Sequence, residues 1–306
     1  MMKFEVLVLG SSSATPMYGR HPTAQLINIH DQLLLVDCGE GTQIQLSKMG
    51  VKANKIRAIF ISHLHGDHYL GLAGLLSSMH LMGRRTPIDV YGPPALKEIM
   101  ELQFFHSQTT ISYPLTFHPT HTDGEQLILE DQFFKVYSFP LDHRIPCTGF
   151  RIEEQERDPV LDADKVNALG VPRSFYKLLK QKVNYVDRDG LVYPWQELTH
   201  PAPTPRKFAF CSDTAATGQY QAWIQGVDLL YHEATFLHDM VERALETFHS
   251  TARQAAAVAR DVGARKLLIG HYSARYKELH ALHHEAQAIF PETALAVEGR
   301  WYQVGG

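Results

Sequence analysis

The most constraining feature of this chain is a run of metal-binding side chains that directly follows a short apolar segment. Residues Ser62–Leu72 read S-H-L-H-G-D-H-Y-L-G-L, which places three imidazoles and one carboxylate at His63, His65, Asp67 and His68. The preceding run, Ile56–Ser62, is short, apolar and rich in β-branched residues, which is typical of a buried strand. The ligands therefore follow the carboxyl end of a strand, where α/β sheets build their sites.

The spacing within this motif divides the ligands between two ions. Residues two apart in an extended segment face the same side, so His63 and His65 can chelate one ion. Asp67 and His68 lie beyond the turn at Gly66 and can face a second ion. Imidazole and carboxylate ligands without sulfur are typical of catalytic rather than structural zinc. A His-rich surface turn is the competing interpretation, but the order H-x-H-x-D-H is more specific than a generic histidine cluster.

Length and charge restrict the classes of protein that remain. The chain has 306 residues, 29 Lys plus Arg and 33 Asp plus Glu, for a formal net charge of −4. A nucleic-acid substrate would therefore need a local basic patch, because phosphate neutralisation drives that affinity. The N-terminal residues Met1–Leu9 predict a strand rather than a signal peptide, since charges interrupt a short apolar run. No apolar run approaches transmembrane length, so we expect a cytoplasmic protein with no membrane partner.

Apolar runs that end in polar residues recur along the chain and indicate the fold class. They lie at residues 33–36, 56–61, 87–91, 133–139, 208–211, 227–231 and 266–269. Helical spacing predicts helices over Leu70–Met82, Ala252–Val262 and Leu279–Ile289, and Thr251 with Gln254 forms a capping box before the second of these. This alternation of strands and helices predicts a layered α/β fold, with sheets flanked by helices.

One segment departs from this rhythm. Residues 153–205 lose clean periodicity and gather proline, glycine and charged residues. We expect an insertion here, with one short helix near Ser174–Lys182 and a return to the core at Arg206. The whole chain, residues 1–306, is then a single domain that carries this insertion.

Three further residues can complete a pair of metal sites. His143, Asp213 and His271 each follow a separate apolar run, so each is delivered to a strand end. Any one of them alone is more simply a polar residue at a strand terminus, but their joint occurrence after the histidine motif favours metal binding. The expected first site consists of His63, His65 and His143. The expected second site consists of Asp67, His68 and His271.

Asp213 is expected to bridge the two sites, because a carboxylate has two oxygens to share. Two ions about 3.5–4 Å apart clamp the attacking and departing oxygens of a phosphoryl transfer and activate water. Asp67 is also expected to orient that water or accept its proton. Asp37 has two interpretations that remain open: it steers a ligand histidine, or it forms the turn before Gly39.

These residues resemble the metallo-β-lactamase superfamily and, within it, the ribonuclease Z family, endonucleases that trim tRNA precursors at the 3′ end. The superfamily needs only the metal ligands. The segments G-E-G-T-Q, H-E-A-T-F, H-S-T and H-x-S-x-R-Y, at residues 39–43, 232–236, 249–251 and 271–276, resemble ribonuclease Z in particular. The resemblance implies a four-layer αβ/βα sandwich with a protruding arm at residues 153–205. It also implies two zinc ions per chain, with manganese or iron as alternatives, a tRNA precursor as substrate, and a homodimer.

The resemblance also implies roles outside the metal ligands. Glu233 and His249 match positions that protonate the leaving oxygen, and a histidine held by a carboxylate is a suitable proton donor near neutral pH. The alternative for each is a flanking residue without a role. Arg275 contacts a phosphate in one interpretation and forms a surface salt bridge in the other. The basic residues of the arm form an RNA-backbone contact or only a solvated helix face; they are Arg173, Lys177, Lys180 and Lys182.

The leading hypothesis is a zinc-dependent endoribonuclease that hydrolyses tRNA precursors, leaving a 3′-hydroxyl on the tRNA and a 5′-phosphate on the trailer. The alternative is a hydrolase of the same fold that acts on small phosphodiesters or sulfate esters and has no use for an arm. A non-catalytic RNA-binding protein is disfavoured because all seven ligand positions carry competent side chains.

Overall fold

The apolar runs of the sequence become strands in the computed structural model, which describes residues 2–305. The first half of the chain supplies β1 (Phe4–Gly10), β2 (Ala24–Ile29), β3 (Gln32–Val36), β4 (Ile56–Phe60), β5 (Ile88–Gly92) and β6 (Leu115–Pro119). Its helices are α1 (Thr42–Lys48), α2 (Gly66–Tyr69), α3 (Leu72–Leu81) and α4 (Ala95–His106), with a 3₁₀ turn at Ala53–Lys55.

The second half continues this alternation around a segment of short elements. Its strands are β7 (Gln126–Glu130), β8 (Phe134–Leu141), β9 (Cys147–Glu154), β10 (Val160–Leu161), β11 (Tyr185–Val186), β12 (Val192–Tyr193), β13 (Thr199–His200), β14 (Lys207–Cys211), β15 (Leu229–Glu233), β16 (Leu267–Gly270), β17 (Thr293–Leu295) and β18 (Trp301–Gln303). Its helices are α5 (Ala163–Ala168), α6 (Tyr176–Lys180), α7 (Val241–Glu246), α8 (Ala252–Asp261) and α9 (His280–Gln287). Further 3₁₀ turns lie at Arg173–Phe175, Trp195–Glu197, Gln219–Ile224 and His238–Met240.

Two seven-stranded sheets organise the larger of two compact units, which contains residues up to Glu153 and from Arg206 onward. The first sheet has the order β18-β1-β2-β3-β4-β5-β6, and the second has the order β17-β16-β15-β14-β9-β8-β7. The run β3 to β6 is parallel, as is the run β14 to β17. Loops that follow these strands therefore leave each sheet at one edge, where parallel sheets carry their functional side chains.

Three apolar clusters show the layers of this unit. The central cluster joins side chains of both sheets, and the rings of Phe60 and Phe150, one from each sheet, lie 5.4 Å apart. A second cluster packs α8 and α9 on the outer face of the second sheet, through residues such as Ala255 and Leu282. A third packs α1, α3 and α4 on the outer face of the first sheet. The order helix, sheet, sheet, helix is the expected four-layer αβ/βα sandwich.

The three predicted helices form, but each is shorter than the sequence predicts. The pattern over Leu70–Met82 becomes α3, and the capping box at α8 forms as predicted: the Gln254 amide donates to the Thr251 hydroxyl at 3.2 Å. The three cysteines, Cys38, Cys147 and Cys211, are buried free thiols. Within residues 2–305, no helix combines the length and the apolar character that crossing a bilayer requires.

The smaller unit consists of Glu154–Pro205. Its core is built from five buried side chains, Val166, Val171, Leu179, Tyr185 and Leu198. The single helix expected near Ser174–Lys182 is α6, and α5 is an additional helix that the sequence did not reveal. Asp162 caps α5 by accepting the Lys165 amide at 3.1 Å. Glu153 pairs with Lys207 across β9 and β14, which places it in the second large sheet.

Candidate metal centre

The structure brings the seven predicted metal ligands together at the sheet edges. Each is carried by a loop or turn that follows a strand: β4 for the histidine motif, β8 for His143, β14 for Asp213 and β16 for His271. The described residues form three groups in which the ligand atoms all lie within 4.8 Å of one another; the third, Asp213, His249 and His271, overlaps the other two, and the first comprises His63, His65, His143 and Asp213. The second comprises Asp67, His68 and His271.

Three imidazole nitrogens converge in the first group. His65 Nδ1 lies 3.0 Å from His63 Nε2 and 3.2 Å from His143 Nε2. Ligand nitrogens on a tetrahedral zinc are about 3.3 Å apart, from a zinc–nitrogen bond of roughly 2.0–2.1 Å. Burial lowers the pKa of all three imidazoles, which keeps them neutral, the form that coordinates a metal.

Asp213 faces both groups with different oxygens. Its Oδ2 lies 3.6 Å from His63 Nε2 and 3.9 Å from His143 Nε2. Its Oδ1 lies 3.4 Å from His68 Nε2 and 3.1 Å from His271 Nε2. Asp67 Oδ2 closes the second group, at 3.4 Å from His68 Nε2 and 3.3 Å from His271 Nε2. One carboxylate thus presents an oxygen to each of two three-residue groups.

The hydrogen bonding of His68 tests whether a cation fits this centre. The His68 Nδ1–H donates to Asp37 Oδ2 at 2.8 Å, and its Nε2 faces Asp213 Oδ1 at 3.4 Å. Both Nε2 and Oδ1 are buried without a hydrogen-bond partner among residues 2–305. Burial lowers the pKa of His68, but the carboxylates of Asp67, Asp213 and Asp37 outweigh burial and raise it well above the usual range, so the site favours a positive charge here, which a proton or a divalent cation supplies. The donor set therefore fits a divalent metal.

The other ring nitrogens of the ligands are fixed by neighbouring acceptors. His143 Nδ1 donates to the Phe248 carbonyl at 3.1 Å. His63 Nδ1 donates to the Ser62 hydroxyl at 3.0 Å, and that hydroxyl donates to Asp37 Oδ2 at 3.0 Å. Partners of this kind fix the tautomer and orientation of a metal-binding histidine.

Asp37 uses both oxygens, which bears on the two interpretations left open. Oδ2 accepts from His68, and Oδ1 accepts from the Ser62 backbone N–H at 2.8 Å. The residue is fully buried and has a left-handed φ of 56°, but the N–H groups of residues 37–39 bond to distant parts of the chain and close no turn. The contacts of Asp37 therefore favour the interpretation in which it orients His68.

A second carboxylate, Glu233, links His249 to the metal ligands. Glu233 Oε1 accepts from His249 Nδ1 at 2.8 Å, and Oε2 accepts from the Thr235 hydroxyl at 2.7 Å. Since that hydroxyl proton is committed to Glu233, His271 Nδ1 donates to Thr235 at 3.0 Å. Burial lowers the pKa of His249, but the Glu233 carboxylate outweighs burial and raises it to about 9. His249 thus holds a proton at neutral pH, 4.0 Å from Asp213 Oδ2.

Known proteins that resemble this chain share its fold and length. The profile described as "Anti-Pycsar protein Apyc1" matches residues 4–129, and that described as "Beta-lactamase superfamily domain" matches residues 201–272. Ribonuclease Z of Cytophaga hutchinsonii is 45% identical over 308 residues, covering 99% of this chain and 97% of the relative. Ribonuclease Z of Bacteroides fragilis is 43% identical and covers 97% of this chain and 98% of the relative. The chain belongs to the ribonuclease Z family.

A solved structure agrees with this membership. The crystal structure of human tRNase Z, short form, is 27% identical, has a TM-score of 0.72, and covers 99% of this chain and 100% of that chain. The expected ribonuclease Z family and metallo-β-lactamase fold are therefore confirmed, and so is the expected enzyme class, a metal-dependent hydrolase.

Several residues that support this ribonuclease Z centre escaped sequence reasoning. The Ala14 backbone N–H donates to Asp67 Oδ2 at 2.7 Å, and no side chain signals this contact. The Phe248 carbonyl is equally invisible in a sequence. Thr235 lies within the H-E-A-T-F segment, but its residue type alone does not indicate a partner. Its link between Glu233 and His271 depends on the meeting of β15 and β16, which only the fold reveals.

The predicted RNA-contacting residues of this ribonuclease Z family member are on the surface. Arg275 is exposed, and its guanidinium lies 5.8 Å from the centre of the Phe236 ring. Within residues 2–305 Arg275 makes no ion pair, so the interpretation as a surface salt bridge is not realised. The four basic residues of the smaller unit are also exposed, again without ion pairs among the described residues; they are Arg173, Lys177, Lys180 and Lys182.

Proposed function

We propose that this protein is an endoribonuclease that removes the 3′ trailer from tRNA precursors, with a metal pair held by the seven converging ligands. The observation that carries the proposal is Asp213, which offers one oxygen to each ligand group beside the Glu233–His249 pair. The relatives named ribonuclease Z and the human tRNase Z structure supply the substrate class.

The donor set favours two zinc ions per chain, one with His63, His65 and His143 and one with Asp67, His68 and His271. Asp213 would offer one oxygen to each ion. Manganese or iron suits the same imidazole and carboxylate donors, so metal identity is a matter for direct analysis. When bound, such ions lower the pKa of water and neutralise charge on a phosphate between them.

Asp67 is the residue of this chain that positions the attacking water. The Ala14 N–H fixes Asp67 Oδ2 at 2.7 Å, so the carboxylate cannot rotate freely. In this position Asp67 accepts a hydrogen bond from the water and orients it. Burial raises the pKa of the Asp67 carboxyl, but His68 and His271 outweigh burial and hold that pKa well below its usual range, so the proton that the water loses passes to solvent. The water oxygen forms a bond to phosphorus, which remains on the trailer as a 5′-phosphate.

The departing atom is the 3′-oxygen of the tRNA, and it needs a proton as its bond to phosphorus breaks. We assign that proton to His249, because Glu233 holds the imidazole at 2.8 Å and favours its charged form. General acid catalysis of this kind contributes about 10²- to 10⁴-fold in rate. The tRNA then leaves with a 3′-hydroxyl.

The unit Glu154–Pro205 is proposed to be an arm that grips the tRNA. Two of its acidic residues pair with other cations, Glu154 with Arg157 at 2.8 Å and Asp162 with Lys165 at 3.3 Å, and none of the acidic residues described forms an ion pair with the four basic residues named above. The four exposed basic residues named above therefore keep their charge for phosphates. An enzyme for small phosphodiesters has no use for such a surface.

The arm is tested by comparing two double variants that remove the same charge from different units. The double variant Lys177→Gln/Lys180→Gln should lower the slope of log affinity against log salt by about 1.5, at roughly 0.7–0.9 per lost phosphate contact. The matched control Lys3→Gln/Lys55→Gln removes the same charge from the larger unit and should leave that slope unchanged. Equal slopes for both double variants would contradict the arm's role.

A homodimer is proposed to form through the apolar outer face of α1 and α3. These helices are adjacent, because the Ser78 hydroxyl donates to Gln43 at 3.0 Å. Their exposed side chains include Ile44, Met49 and Leu81, and Leu81 is 81% exposed. A self-complementary apolar face is typical of a two-fold dimer.

Light scattering tests this surface. Leu81→Asp should lower the molecular mass to the monomer value, whereas the control Phe105→Asp should leave the dimer intact. A dimer that persists in Leu81→Asp would contradict the proposed interface.

The deciding experiment is incubation of the protein with a 3′-extended tRNA precursor, with and without a chelator, and mapping of the cut. We expect one cut at the 3′ end of the tRNA body, a 5′-phosphate on the trailer, and loss of cleavage with chelator. Asp67→Ala and His143→Ala should abolish cleavage while the fold survives. Full activity in either variant, or cleavage only of a small phosphodiester, would refute the proposal.

A further inference from the structure

Backbone strain is concentrated at the metal centre. Among residues 2–305, nine residues other than glycine have a left-handed backbone, and four of them lie at this centre: Ala14, Asp37, Phe248 and His271. Strain of this kind persists where surrounding structure enforces it and is common at active sites. At three of these positions a contact accounts for the strained backbone. The Ala14 N–H donates to Asp67, the Asp37 carboxylate accepts from His68, and His271 presents a ligand nitrogen.

Phe248 differs from these three residues because the hydrogen bonds recorded for it involve only its backbone atoms. Its φ is 57°, an outlier for a bulky residue. Its N–H donates to the Leu245 carbonyl at 3.2 Å and its carbonyl accepts from His143 at 3.1 Å. The next N–H, of His249, donates to Ala244 at 2.8 Å and ends α7. Glycine would provide all of this without strain, and it is the usual residue at such a helix end.

The side chain of Phe248 therefore calls for another explanation. The residue is 37% exposed, and no aromatic ring among the described residues stacks on it. It directly precedes His249, whose ring lies 6.1 Å from that of Phe236, under the Arg275 guanidinium. An exposed aromatic residue thus adjoins His249 along the chain, and Arg275, which makes no ion pair among residues 2–305, lies over the Phe236 ring beside that histidine. This pairing is typical of sites that bind single-stranded RNA, where bases stack on aromatic rings and cations meet the backbone.

We propose that the Phe248 ring stacks on the base of the nucleotide whose 3′-oxygen departs. This inference rests on the proposed function, in which His249 protonates that oxygen. Because Phe248 and His249 are consecutive, a nucleotide that offers its 3′-oxygen to His249 brings its own base within reach of the ring. The contact accepts any base, since every base has a flat π face, so it positions the tRNA end without reading sequence.

The test is a double-mutant cycle between Phe248 and the substrate base, measured as single-turnover kcat/KM. Phe248→Asn removes the ring but tolerates the left-handed backbone, and Phe248→Leu keeps apolar bulk without a π face. Each should lower kcat/KM by about fivefold or more, the lower end of measured stacking contributions. Removing the base of the last tRNA nucleotide should lower the wild-type value similarly. In the variants, removing that base should have little further effect.

Controls separate the ring from the backbone and from the fold. Phe105→Asn removes an aromatic ring near the far end of α4, away from the sheet edge, and should leave kcat/KM unchanged. Metal content should match wild type in the Phe248 variants, because the Phe248 carbonyl remains, and cooperative melting should show that the variants are folded. If Phe248→Asn unfolds, Phe248→Leu and the wild-type response to the missing base still decide the matter.

Three outcomes would overturn the inference. Wild-type kcat/KM in Phe248→Leu would show that the π face is not used. Independent losses from the variant and the missing base would show that they do not touch. Coupling to the first trailer base instead of the last tRNA base would place the ring on the wrong side of the cut. A wild-type protein that cleaves no tRNA precursor at all would refute the proposed function instead.

Discussion

The Asp37→Asn substitution tests how the metal ligands are held in place. Asp37 accepts hydrogen bonds with both oxygens, from His68 Nδ1 at 2.8 Å and from the Ser62 N–H at 2.8 Å. Asparagine is nearly isosteric but has only one acceptor oxygen, since its other atom is an NH₂ donor. One of the two N–H groups must therefore face a donor in a fully buried site.

Either orientation of the asparagine has a measurable cost. If its oxygen faces Ser62, the NH₂ group favours the His68 tautomer with the proton on Nε2, the atom that faces the metal. Loss of such an orienting partner typically lowers metal affinity or activity by about 10- to 100-fold, equivalent to about 1.4–2.7 kcal/mol. If its oxygen faces His68, the Ser62 N–H loses its acceptor, and unfolding becomes easier by about 1–3 kcal/mol.

Zinc affinity measured against a competing chelator, together with cleavage rate and thermal melting, distinguishes these cases. We expect weaker zinc binding by at least tenfold and partial recovery of cleavage when zinc is in excess. Asp89→Asn is the matched control, because Asp89 also pairs with a histidine, His118, at 2.8 Å, but outside the ligand set. Wild-type zinc affinity and stability in Asp37→Asn would refute the reasoning.

Three further predictions address the proton donor, the linking hydroxyl and the metal. His249→Ala should slow cleavage of a normal precursor by about 10²- to 10⁴-fold. The variant should still cleave a substrate with a 3′-sulfur leaving atom at nearly the wild-type rate, because a thiolate departs without a proton. Equal defects on both substrates would contradict the role of His249 as proton donor. Thr235→Val removes the hydroxyl between Glu233 and His271 and should weaken zinc binding by about tenfold or more in a chelator titration; unchanged affinity would show that His271 needs no such partner. Zinc at 100 times its Kd should stabilise the protein by about 2.7 kcal/mol and raise the melting temperature by several degrees. At the same zinc concentration Asp213→Ala should show a smaller shift in melting temperature, because each ion loses one ligand, and a shift of the full wild-type size in this variant would count against the bridging carboxylate.

The sequence was informative where chemistry is concentrated in few residues. The histidine motif contains four predicted ligands in one segment. Each of the remaining three is a polar residue that follows a separate apolar run. Strand ends of parallel sheets meet at one edge, so this pattern alone predicts convergence. The capping box of α8 is similarly local: Thr251 and Gln254 are three residues apart, and both of its hydrogen bonds form.

Features that depend on long-range pairing were not predictable. β2 is buried along its whole length, which removes the alternation that marks a half-exposed strand. The Ala14 N–H reaches Asp67 across 53 positions, and every residue except proline has such an N–H. The Phe248 carbonyl reaches His143 across 105 positions in the same way. Contacts made by the backbone leave no signature in the side chains.

The measurement that most directly tests the central claim is anomalous diffraction at the zinc absorption edge, from crystals of zinc-loaded protein. We predict two peaks per chain, each about 2.0–2.2 Å from its ligand atoms. One peak should lie among His63, His65 and His143, the other against His68 and His271, and both should contact Asp213. A single peak, or peaks away from Asp213, would contradict the paired-metal centre.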